Sequence, residues 1–235
     1  MKKILSSLAF TLIELLVVIS IIAILASLAI PAITSALVKG QMTQALNNEK
    51  QIHLATFNMS TDRVSTGDSS IGWPGDLMTS ASNQVKTVGG FVKVLVDNNY
   101  LKPGDLKVFA AAGVTPYTGN SLATTPFLSK ATGATNNAYT IYGVTEADGA
   151  SAIFLSTINA TIAVDSATDA TCHFTLDTAK TPFGDKGYVI FHRGGDGIIL
   201  SKNQASKVNL QGSVAILTGS SPSAGSGWLD YGDSQ

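Results

Sequence analysis

An apolar run from Phe10 to Ile33, interrupted only by Thr11, Glu14, Ser20 and Ser27, constrains this 235-residue chain more than any other feature. A helix needs roughly 20 such residues to cross about 30 Å of hydrocarbon, so the run predicts a membrane-spanning helix. Lys2 and Lys3 stand just before it. The positive-inside bias then keeps the N-terminus in the cytoplasm and sends the rest of the chain to the periplasm or beyond.

A secretory signal peptide is the simpler alternative, with Ser27-Leu28-Ala29 as its small-residue cleavage site. Two features count against it. The apolar region outruns an ordinary signal core, and Glu14 lies inside it, where an acidic residue costs roughly 2.5–3.5 kcal/mol near a helix centre. A carboxylate at membrane depth needs a partner, and no basic residue follows it as far as Val38. Cutting the chain just before Phe10 would supply one. The new α-amino group is a cation at the head of the same helix, and the helix dipole favours Glu14 in its first turn.

Lys2, Lys3, then Ala9-Phe10-Thr11-Leu12-Ile13-Glu14 and the hydrophobic run resemble the class III signal of type IV pilins and type II secretion pseudopilins. Pro31 matches a helix-kinking proline of that family. The resemblance covers about the first 60 residues and implies processing by a prepilin peptidase between Ala9 and Phe10. It further implies N-methylation of Phe10, and a Glu14 that pairs with the amine of a neighbouring subunit during assembly. The family usually has Gly before the cut, where this chain has Ala9. The alternative role for Glu14 is pairing with the amine of its own chain.

Pro31 removes a helix hydrogen bond and Gly40 weakens the same region, so a flexible joint is expected between them. Beyond Gly40 the pattern becomes amphipathic, with Met42, Ala45, Leu46, Ile52, Ala55 and Met59 at three- and four-residue steps. A single spine from Phe10 to Met59, roughly 75 Å long at 1.5 Å per residue, is expected to pack its second half on a globular head. His53 is expected at the surface or boundary. Ser20, Ala23, Ala26 and Ser27 place small side chains at helix-packing spacing, which either permits close helix approach or reflects tolerance of small residues.

The expected organisation is a leader at 1–9, a filament-core or membrane half-helix at 10–38, an amphipathic half at 39–59 and an α+β head at 60–235. From Ser60 the chain turns polar, and residues 65–76 read as a loop anchored by Trp73. A helix is expected around residues 89–106, carrying Phe91, Val92, Leu95 and Val96 and ended by Asn98, Asn99 and Pro103. Strand-like runs follow at 107–110, 139–145, 152–158, 187–192 and 197–201, the last two flanking "RGGDG" as a hairpin. Low-complexity loops lie around 115–137 and 219–227. This order predicts an antiparallel sheet laid on the spine, the pilin-like fold that the resemblance implies.

Charged residues make up only 13% of the chain and the net charge is −1, with no basic stripe, which argues against nucleic-acid binding. The single cysteine, Cys172, excludes an intrachain disulfide. No Walker loop, zinc motif or nucleophile elbow is present, and the chain is read as a non-enzyme with no required cofactor. Cys172 and His173 alternate faces on a strand and cannot easily pair; His192 with Asp185 or Asp196 reads as a hairpin edge. Asp185, Asp196, Asp230 and Asp233 in Gly-rich loops are weak calcium candidates.

The favoured reading is a subunit of an extracytoplasmic helical filament, either a secretion pseudopilus or a pilus. It is held in the inner membrane before assembly, and the prepilin peptidase, an inner-membrane assembly platform and further copies of the chain are its partners. The competing reading is a membrane-anchored binding or sensor domain that never polymerises.

Overall fold

The computed structural model describes residues 11–79, 85–122, 136–164 and 172–206. Helix α1 (Leu12–Thr66) is followed by α2 (Pro74–Thr79), α3 (Val88–Asp97) and a 3-10 helix (Pro103–Phe109). The strands are β1 (Tyr139–Ile141), β2 (Ile153–Thr157), β3 (Ala160–Val164), β4 (Cys172–Leu176), β5 (Tyr188–His192) and β6 (Gly197–Leu200), before a last turn of helix, α4 (Lys202–Ala205). Strands β1, β2, β5 and β6 form an antiparallel sheet in that order, and β3 pairs with β4 in a second ribbon. A long N-terminal apolar helix with a four-stranded antiparallel sheet is the α+β, pilin-like architecture expected from the sequence.

The chain divides into two compact units after Gly40. In the first, every described residue from Thr11 to Leu37 is exposed. Helix α1 runs through both Pro31 and Gly40.

In the second unit, α1 buries Met42, Ala45, Ile52, Ala55 and Met59, the apolar stripe predicted for it. The sheet and the end of the 3-10 helix are both fastened to this face. The Tyr139 hydroxyl donates to the Ala45 carbonyl at 3.3 Å, and the Asn48 amide donates to the Ala110 carbonyl at 3.0 Å. Gly187 and Gly197 let the β5–β6 hairpin lie against the helix, since a Cβ on either would run into Met42 or Leu46. The turn of that hairpin is "RGGDG", with Gly195 at φ 92°, as the sequence predicts.

Several expectations need correction. The helix does not give way to a loop at Ser60. It continues to Thr66, and the hydroxyls of Ser60, Thr61, Ser65 and Thr66 are satisfied within it by carbonyls three or four residues earlier, at 2.7–3.0 Å. Gly67, at φ 73°, then stops it. Residues 107–110 form no strand, because Pro103 opens a 3-10 turn whose local bonds absorb the backbone through Ala110. The run 139–145 is strand only to Ile141, and β3 and β4 appear where no strand was expected. Helix α3 follows expectation: Thr87 caps it, and Asn98 and Asn99 (φ 61°) end it.

His53 is also corrected: it is 6% exposed, not a surface or boundary residue. Its ring lies within 5.1 Å of Phe191, 5.7 Å of Trp73, 6.0 Å of Phe154 and 6.1 Å of Phe57, centroid to centroid. Nε2 must carry its proton here, because it lies 2.7 Å from the Arg193 carbonyl, which can only accept. Burial pushes the imidazole pKa down, so the ring is held neutral. Trp73 anchors its loop as expected, donating to Glu146 at 2.8 Å, with the Arg193 guanidinium 5.2 Å above the ring and 3.1 Å from the same carboxylate.

Candidate functional site

Thr11 and Glu14 build the start of α1. The Thr11 backbone N–H and hydroxyl both donate to Glu14 Oε2, at 2.8 and 2.7 Å, and the Glu14 N–H donates back to the Thr11 hydroxyl at 3.3 Å. This is a reciprocal capping box, Thr at the cap and Glu three residues on. It fixes Glu14 in the first turn, where the helix dipole favours negative charge. Among the described residues Oε1 accepts no hydrogen bond, so one oxygen remains available to a further donor.

Beyond it the helix presents almost unbroken hydrocarbon. By length and composition it is apolar enough to cross a membrane. The few hydroxyls in this stretch are satisfied internally: Ser20 donates to the Leu16 carbonyl at 2.7 Å and Ser27 to the Ile24 carbonyl at 2.8 Å. Thr34 and Ser35 both donate to the Pro31 carbonyl, at 2.9 and 3.1 Å. An apolar environment demands such pairing. Among the described residues from Thr11 to Val38, Glu14 is therefore the one acidic or basic side chain, in a stretch whose hydroxyls bond back to their own helix.

The prokaryotic N-terminal methylation motif matches residues 6–30. The chain carries a prepilin-type leader. That leader is the one shared by type IV pilins and pseudopilins, and it spans the capping box and most of the exposed apolar helix. It is a structural-subunit motif and not an enzyme family. No curated protein and no solved structure matches the chain.

Ala9 and Phe10, the expected processing pair, lie outside the described residues, as do Asp230 and Asp233. Asp185 is committed to Lys202 at 2.7 Å, and Asp196 to His192 Nδ1 at 2.7 Å. Among the described residues no three His, Cys, Asp or Glu side chains gather as a metal site. Cys172 and His173 are successive residues of β4, opposite Val164 and Ala163 in the register. The role of Thr11 was missed in the sequence, although a Thr-x-x-Glu spacing ahead of an apolar run is a legible helix-start signal.

Proposed function

We propose that this chain is a structural, non-enzymatic subunit of an extracytoplasmic helical filament. A prepilin peptidase cuts before Phe10 and the new amine is N-methylated; the subunit waits in the inner membrane with its head outside until an assembly platform extracts it. The helix of residues 10–38 then packs against other copies, and Glu14 pairs with the Phe10 amine of a neighbour. The observation that carries this reading is the methylation motif at residues 6–30 lying over a helix whose first turn holds a capped carboxylate and whose surface from there to Leu37 is mostly exposed hydrocarbon. Burying that surface among copies removes it from lipid, and a neighbour's cation offsets the cost of moving Glu14 with it.

Having a single cysteine, the chain has none of the paired cysteines that often close the C-terminal region of pilins, which favours a type II secretion pseudopilus over a pilus. In cells, Glu14→Leu should leave the protein in the membrane fraction and eliminate cross-linked multimers and sheared filaments. Filaments of normal abundance from that variant would contradict the pairing role of Glu14, and a wild type that forms neither multimers nor filaments would favour the anchor-only reading.

A further inference from the structure

Glu49 is the least expected side chain in the head. It lies on the buried face of α1, one helical turn after Ala45 and one before His53, and it is 0% exposed. Neither carboxylate oxygen has a hydrogen-bond partner. A carboxylate in that position would have given up its hydration with nothing in return.

The groups turned towards it supply no compensating cation. Tyr139 of β1 and Tyr188 of β5 are phenols whose pKa burial pushes up, and a negative charge on Glu49 would push both further. Tyr188 donates its hydroxyl to Ser156 at 2.7 Å, the Tyr142 and Ser156 hydroxyls share a bond at 3.1 Å in which either is the donor, and Tyr139 donates to the Ala45 carbonyl. His53, on the same helix, is neutral and bonded to the hairpin turn. Arg193 in that turn is committed to Glu146 and to the Asp148 carbonyl at 2.8 Å, and Asp196 to His192. Lys50, adjacent in sequence, is exposed.

We propose that Glu49 is a proton-operated latch between α1 and the head sheet: the helix stays seated while this carboxyl is protonated, and ionisation forces the two apart. Burial, with no partner to hold the anion, keeps the carboxyl well above the usual carboxylate range. The unfolded chain releases this proton near its ordinary value of about 4.3, whereas the folded head retains it. The head is therefore fully stabilised below that value. It loses stability as pH rises, until the carboxyl ionises within the fold. A filament subunit built this way packs its helix most firmly on the acidic side.

The test uses the full-length protein in detergent micelles, comparing unfolding of wild type with Glu49→Gln by near-ultraviolet circular dichroism from about pH 5 to about pH 8. One retained proton makes the folding constant of the Gln variant gain on wild type by about tenfold per pH unit. A ratio constant across the range overturns the latch. Glu49→Leu serves the same comparison if Gln is not accommodated. Infrared spectroscopy gives an independent readout: wild type at about pH 6 should show a protonated carboxyl band that Glu49→Gln lacks, and an identical pair of spectra contradicts the proposal.

Discussion

Glu14 Oε2 accepts two hydrogen bonds from a single residue, Thr11, at 2.8 and 2.7 Å, while among the described residues its other oxygen accepts none. The cap and the intersubunit pairing proposed for Glu14 are thus compatible, one oxygen for each. Thr11→Val removes the cap hydroxyl and leaves the charge. Its filament incorporation should fall roughly fivefold, the size of one helix cap, against complete loss for Glu14→Leu. Quantitative blotting of sheared filaments separates the two outcomes.

His53 clamps the helix to the hairpin turn. His53→Ala removes a ring from a packed aromatic cluster and orphans the Arg193 carbonyl, and should cost about 3 kcal/mol of head stability in denaturant titration. His53→Phe keeps the ring and loses only the hydrogen bond, so about 1 kcal/mol is expected.

The same histidine gives a pH effect of opposite sign to that of Glu49. Its folded pKa lies below the ordinary value of about 6.5, so its contribution is complete above that pH and is lost as pH falls through the folded pKa. The stability difference between wild type and His53→Phe should therefore shrink or reverse on acidification below about pH 6.5. A difference independent of pH would show that the ring is not buried neutral.

Gly187 is placed by the Met42 side chain, which occupies the space a Cβ would need. Gly187→Ala should destabilise the head by about 1–3 kcal/mol through overpacking. Combined with Met42→Ala, the loss should be smaller than the sum of the two single effects, because the second change vacates the contested volume.

The sequence-legible parts of the fold are those governed by one strong local rule. The apolar run and Glu14 announced the helix and its charge, the Met42-to-Met59 stripe its buried face, and "RGGDG" the hairpin. The helix end at Thr66 was hidden because Ser and Thr usually signal loops, and only their bonding to the preceding turn reveals otherwise. His53 and Glu49 were hidden for a different reason. Both are polar residues on an amphipathic helix, and only the register of the sheet against that helix buries them. Thr11 was legible in its spacing to Glu14, a Thr-x-x-Glu pattern ahead of an apolar run.

The central claim is that the mature chain begins at Phe10 with a cation that answers Glu14. Mass spectrometry of the N-terminal peptide, from protein recovered from membranes and sheared filaments, tests it most directly. The expected peptide starts at Phe10 and carries a single methyl group on its amine. A chain that still begins at Met1, or one cut after Ala29, contradicts the claim.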